Sequence, residues 1–342
     1  MGLQAVWFFL WGLLWAVFFI TDGFDFGVGT LLPFLAKNDD EKRIVINSVG
    51  PLWDGNEVWL LTAGGVTFAA FPLVYGVMFS SLYSALMLIL FSLILRGVSF
   101  EFRDKVESPG WKKLWDGCFF IGSFTPALLF GVAFANIFRG IPIDGDGLYH
   151  GTLLTLLNPY GIAGGILFVL LFLLHGALWL AVKTEDDLQK RAIRTAKVIW
   201  PILLVIAVVF LIATKFATPL YDNYIAHPAL FAVLLITVAA LIGTRIFLGR
   251  SRYFTAWFSS ALTILGTTFF GVIGLFPDMF PSSIDPAYSL TAYNASSSPL
   301  TLKIMLIVAL IFVPIVVVYQ TWAYALFKGK VTLENLDGEE AY

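Results

Sequence analysis

The chain has 342 residues, of which 59% are hydrophobic and only 13% charged, and its mean hydropathy is +0.86; soluble domains carry about 25% charged residues, so this is a polytopic membrane protein and not a globular enzyme with one anchor. The net charge of −2 gives no basic footprint for nucleic acid. A single cysteine, Cys118, excludes an internal disulfide and a cluster held by this chain's own thiolates, and three histidines, His150, His175 and His227, are a thin supply for haem or metal ligation.

A membrane-crossing helix needs about 20 mostly apolar residues, and nine such runs are expected, at roughly 5–34, 51–71, 74–96, 117–138, 160–182, 198–215, 229–247, 256–276 and 302–327. The first, MGLQAVWFFLWGLLWAVFF, has no Lys or Arg ahead of its apolar run and reads as a retained helix, not a secretory signal. It is over-long, and Gly23, Gly27 and Gly29 are expected to bend or break it. Only a tight turn near Pro72 separates the second span from the third. The glycine pair Gly64–Gly65 in the second points to close helix–helix approach. The loops 139–159 and 277–301 are rich in Gly, Pro, Ser and Asn, and the tail VTLENLDGEEAY is short and acidic. No fixed-period repeat divides the chain, which reads as one all-α integral membrane domain over 1–342.

Lys and Arg set the orientation. Of the 21 basic residues, all but Arg139, Lys215 and Lys303 fall in the odd-numbered connections and the C-terminal tail. Those segments are therefore cytoplasmic and the N-terminus is outside, as an odd number of spans requires.

Acidic residues enter two of the apolar runs. At 1.5 Å per residue Asp22 and Asp25 lie about 25–30 Å along span one, near its cytoplasmic end. Span two returns outward from about Gly50, and WDGNEVW places Asp54 and Glu57 in its first two turns. Each pair has i,i+3 spacing and so occupies one helix face. Arg96, at the end of span three, and Glu101 reach the same side and are expected to form a structural ion pair at the cytoplasmic rim. Two readings stay open on the residues alone. Acids near a helix start complement its dipole, which suits Asp54 and Glu57 but not Asp22 and Asp25. Acids within a membrane also mark proton routes.

Other features carry less. His175, in LLFLLHGALWL, could ligate haem, but a hydrogen-bonded packing histidine beside Gly176 is the favoured reading. The 33 Phe, 11 Trp and 12 Tyr are lipid-facing and core aromatics. DGFDFGVG lacks both a preceding strand and GK[ST], so it is no phosphate loop.

The stretches TDGFDFGVGTLLPF, INSVGPLWDGNEVWLLTAGGVTFAAFP, SLILRGVSFEFRDK, LHGALWLAVKTEDDLQKRA and LTAYNASSSPLTLKIM occur in this order, and over essentially its whole length the chain resembles subunit II of the cytochrome bd-type quinol oxidases. The resemblance implies a complex in the prokaryotic cytoplasmic membrane that oxidises quinol and reduces dioxygen to water with cytoplasmic protons. It implies nine helices arranged as two four-helix bundles and a peripheral helix. Haems b and d belong to partner subunit I, and this chain binds no haem. A structural quinone or lipid in this chain, and a small accessory subunit, are left open. By position, Asp54 matches the family aspartate of a proton channel at the subunit interface, with Glu57, Asp25 and Asp22 in support from depth and spacing. Trp59 matches a position beside a lateral oxygen route. Neither a catalytic residue nor a metal ligand is expected in this chain. The alternatives are a purely structural assembly subunit and a proton-coupled transporter. A transporter would place its site at the midplane between inverted repeats, which this sequence lacks.

Overall fold

In the computed structural model, which describes residues 2–334, the chain is almost wholly helical, with α1 Leu3–Leu35, α2 Asp39–Asn47, α3 Trp53–Ala70, α4 Pro72–Ser81, α5 Tyr83–Phe102, α6 Pro109–Arg139, α7 Leu153–Leu156, α8 Pro159–Lys183, α9 Asp186–Ala217, α10 Tyr221–Ala226, α11 Phe231–Gly249, α12 Tyr253–Leu275 and α13 Pro299–Leu326. One short antiparallel pair, β1 Asp278–Phe280 with β2 Leu290–Thr291, lies in the loop before α13. The acidic residues 335–342 of the tail lie outside the described residues.

Eight described helices are long and apolar enough to cross a membrane: α1, α5, α6, α8, α9, α11, α12 and α13. The expected second span, α3, has 18 residues and opens on Trp-Asp-Gly-Asn-Glu, and it is not among these eight. The expected third span is divided at Leu82 into α4 and α5, and α5 runs on through Gly-Val-Ser-Phe-Glu-Phe to Phe102. Arg96 is therefore inside a helix, not at its end, because the polar residues beyond it continue the turn rather than stop it.

α1 and α8 lie at the centre. α3, α5 and α6 pack on one side of them, and α9, α11 and α12 on the other. Lipid tails are as apolar as leucine, so helices associate in a membrane through close packing and hydrogen bonds more than through hydrophobic driving force. Both devices are present. α1 is one unbroken helix, and its glycines do not break it but admit neighbours. A Cβ on Gly27 would run into the Phe172 carbonyl of α8, a Cβ on Gly176 would strike the Gly27–Val28 backbone, and Gly29 lies against Ser123 of α6. Gly131 of α6 and Gly164 of α8 meet in the same way. The expected approach at Gly64–Gly65 is not made within this chain, where nothing lies within 4 Å of either position. Indole N–H groups supply the hydrogen bonds: Trp7 to the Leu302 carbonyl and Trp11 to the Thr67 hydroxyl, both at 2.9 Å, and Trp179 to the Ser48 carbonyl at 2.9 Å.

α13 is peripheral, with Leu302 as its one buried residue among those described. Its far end is held by Lys183, the last residue of α8, whose ammonium donates to the carbonyls of Phe327 and, at 2.7 Å, Gly329. A cation at that place also complements the C-terminal end of the helix dipole.

Candidate functional site

Three of the four expected acids come together, around Arg96. Asp22 and Asp25 are on the buried face of α1, and Glu57 is on α3. Arg96 of α5 is fully buried; its Nη2 donates to Asp22 Oδ1 at 2.7 Å and also to Glu57 Oε1. Its guanidinium carbon lies 4.4 Å from the centroid of the Phe26 ring, a cation–π contact. The expected rim pair of Arg96 with Glu101 does not form. Five residues along a helix is more than one turn, so Glu101 lies on another face and is exposed, whereas Arg96 points inward.

Asp25 is bound from the other side. Asn56 of α3, fully buried, donates through Nδ2 to Asp25 Oδ2 at 2.7 Å, and its Oδ1 accepts from the Tyr324 hydroxyl of α13 at 2.7 Å. Trp59 is buried and its indole donates to Gln320 Oε1 at 2.7 Å, which ties α3 to α13. Asp54 stands apart: it is exposed on the surface of the chain, half a turn from the side that bears Asn56.

The cluster contains one guanidinium and three carboxyls. Four of its buried polar atoms, Asp22 Oδ2, Asp25 Oδ1, Arg96 Nε and Arg96 Nη1, have no hydrogen-bond partner in the protein. Such atoms are rare in folded proteins, and where they occur they mark ordered water or functional strain. The arrangement is chemically able to hold protons on carboxyls next to a fixed positive charge.

A second network lies beyond it, at the end of the bundle where α1 finishes. Arg103, 2% exposed as a side chain, bonds Asp116 through Nε at 2.7 Å, Asp104 through Nη1 at 2.8 Å and Asp39 through Nη2 at 2.6 Å. Lys42 reaches Asp116 at 2.8 Å and Lys112 reaches Asp39 at 2.9 Å. Burial acts to raise the Asp39 carboxyl, but the hydrogen bonds from Lys112 and Arg103 outweigh it and leave the group below the ordinary carboxylate range. A depressed carboxyl stabilises the fold above its unfolded pKa of about 3.9, and that stabilisation is lost as pH falls through the lower folded value. Hydrogen exchange in α2 should accordingly be flat between pH 7 and 5 after correction for the intrinsic rate, and should rise below pH 4. An unchanged corrected rate down to pH 3 would mean that Asp39 does not hold α2.

His175 is fully buried on α8. Its Nδ1 is 2.6 Å from the Ser260 hydroxyl and its Nε2 3.1 Å from the Ile20 carbonyl, and its ring stacks on Trp257. Both nitrogens are engaged, so the residue does not fit an axial haem ligand. Among the described residues no group of three or more His, Cys, Asp or Glu is placed to hold a metal. An apolar pocket of about 80 Å³ lies between α6, α8, α9, α11 and α12, lined by Phe134, Phe168, Leu203, Phe210 and Leu241 among others. The threonine hydroxyls on its wall, Thr237, Thr263, Thr267 and Thr268, already donate to carbonyls of their own helices.

Asn56, Gln320, Tyr324 and Asp116 were not singled out as site residues by sequence reasoning. Asp116 carries the same signal as Asp54, an acid in the first turns of an apolar helix, and Gln320 is a lone amide in the run VVVYQTWAYAL. Tyr324 has no such signal, since membrane helices commonly end in aromatic residues.

Fold and site together define a polytopic helical membrane protein with a carboxylate–guanidinium cluster in its interior. Residues 3–327 match the family model for cytochrome bd terminal oxidase subunit II, and the chain belongs to that family. It is 38% identical to a probable cytochrome oxidase subunit 2 of Haemophilus influenzae and 37% identical to cytochrome bd-I ubiquinol oxidase subunit 2 of Escherichia coli K12, each alignment covering 98% of this chain and 97% of the relative. It is 38% identical to cytochrome bd ubiquinol oxidase subunit 2 of Bacillus subtilis, over 97% of both chains. A chain of the bd oxidase structure from Geobacillus thermodenitrificans superposes with a TM-score of 0.80 over 96% of this chain and 99% of that one, and at 16% identity this likeness speaks for the fold alone.

Proposed function

We propose that this chain, a multi-pass subunit II of a cytochrome bd-type quinol oxidase in the prokaryotic cytoplasmic membrane, contributes a proton-uptake route to the complex and a face for subunit I. Haems b and d, and quinol oxidation, are assigned to subunit I. The proposed topology is nine spans in one domain, N-terminus outside and C-terminus cytoplasmic, which the distribution of Lys and Arg supports. The observation that carries the route is the buried cluster, where Glu57, Asp22 and Asp25 surround Arg96 with two carboxylate oxygens left free. Ionisable groups are costly within a membrane and persist there mainly for function. Asp54, exposed on α3 one helical turn before Glu57, would form the mouth of the route at the face covered by subunit I.

Two ancillary roles follow the same reading. The apolar pocket, at about 80 Å³, takes at most a short segment of an apolar tail, and with its threonine hydroxyls engaged it offers little to a quinone head group. Oxygen entry past Trp59 would depend on the shape of an apolar gap, since its indole N–H is taken by Gln320.

The test is quinol-driven oxygen uptake by the purified complex carrying Asp25→Asn, and separately Asp54→Asn, with haem spectra on the same samples. Asp25→Asn should slow turnover roughly 100-fold at full haem content, the scale on which loss of a positioned proton-transfer group acts. Normal turnover in both variants would leave the purely structural reading of this subunit, as would loss of the haems.

A further inference from the structure

α13 is barely buried, yet it sends two polar side chains inward onto the first turns of α3. The Tyr324 hydroxyl donates to Asn56 Oδ1 at 2.7 Å. Gln320 Nε2 donates to the Gly55 carbonyl at 3.0 Å and lies 3.5 Å from the same Asn56 Oδ1. A primary amide has one acceptor end and one donor end. With hydrogens presented to Oδ1 by two residues of α13, the NH2 end must face α1, where it donates to Asp25 Oδ2. That oxygen thereby accepts from Asn56, whereas Asp25 Oδ1 and, one helical turn away, Asp22 Oδ2 receive no donor from the described residues.

We infer that Tyr324 is a positioning residue for Asp25, and that through Asn56 it selects the oxygen on which Asp25 carries a proton. This rests on the reading of Asp25 as a proton carrier. On uptake an O–H bond forms at Oδ1 and the carboxylate charge is neutralised; on release that bond breaks and the proton passes to the next acceptor. Oδ2 accepts from Asn56 throughout, and nothing is oxidised or reduced. Packing alone does not account for the contact. The Tyr324 ring lies against Phe24 and Trp179, with centroids 6.3 and 6.1 Å away, and phenylalanine would fill the same place. The hydroxyl is the part that reaches the amide.

Tyr324→Phe in the purified complex tests this, with oxygen uptake measured against pH and quinol concentration and haem content measured alongside. The expected result is unchanged haem and unchanged KM for quinol, kcat lower by about tenfold, and a displaced pH profile, because one hydrogen bond to a charge-bearing chain is worth about that factor. A wild-type kcat and pH profile in Tyr324→Phe, with Asp25→Asn slow, would overturn the positioning role and leave the proton route standing. Wild-type rates in both would remove Asp25 from the route and this inference with it. Should Tyr324→Phe yield too little complex, Asn56→Leu removes the amide through which Tyr324 acts on Asp25 and is judged by the same pH profile: displacement supports the inference and coincidence with wild type overturns it.

Discussion

Arg96→Leu is expected to abolish recovery of an intact complex. The substitution removes the only cation that bonds Asp22 and Glu57 among the described residues, and leaves Asp22 and Asp25 fully buried. Removing one partner of a buried ion pair costs about 3–5 kcal/mol, because the charge left behind has neither water nor a counter-ion. That is a large share of a typical folding stability of about 5–15 kcal/mol. Haem absorbance per unit of complex extracted from membranes reads the outcome. The second site provides the control: Arg96→Leu combined with Asp22→Asn should recover part of the loss, since the two residues are in contact and their effects are not additive. Arg96→Leu complex recovered at the wild-type level would show that the cluster is not held together by charge. Arg96→Lys should fall between, because lysine keeps the positive charge but not the reach by which Nη2 meets both acids.

Gly27→Val should destabilise the complex to a similar extent by a different cause. The obstacle at Gly27 is backbone, the Phe172 carbonyl, and Gly176 meets the Gly27–Val28 backbone in return. Overpacking a tight site typically costs about 1–3 kcal/mol when side chains can rotate away, and here none can, so α1 and α8 must separate along the seam that joins the two halves of the fold. Asp25 is half a turn from Gly27, and the separation should also loosen its bond to Asn56. Gly12→Ala is the comparison: the atoms nearest its Cβ belong to the Val272 side chain, not to backbone, and it should cost less. Thermal release of haem from the purified complexes would rank the variants, and equal stability of Gly27→Val and wild type would mean that the seam tolerates a gap.

Much of the architecture was legible in the residues. Apolar runs near 20 residues long announce helices whatever their neighbours, so eight of the expected spans correspond to the long apolar helices of the structure, with ends displaced where polar residues continue a turn. The third run differs from its expected bounds at both ends. It breaks at Leu82 without a proline or glycine to signal it, and it runs past Arg96 because Glu, Arg and Ser are tolerated in a helix once water or a partner side chain meets them. In the candidate site, i,i+3 spacing brought out Asp22 with Asp25, and Asp54 with Glu57, but spacing cannot say which way a face turns. Glu57 turned in and Asp54 turned out.

By itself, then, the sequence determined that the protein is a helical membrane protein and which helices bear acids, because these follow from hydropathy and the helical repeat along one segment at a time. Only the tertiary structure decided the partners of those acids. Arg96 lies 74 residues from Asp22 and 39 from Glu57, and Tyr324 lies 268 from Asn56. Contacts at such separations depend on how α1, α3, α5 and α13 rotate and approach one another. That is set by where glycines let backbones touch, and a linear pattern does not record it.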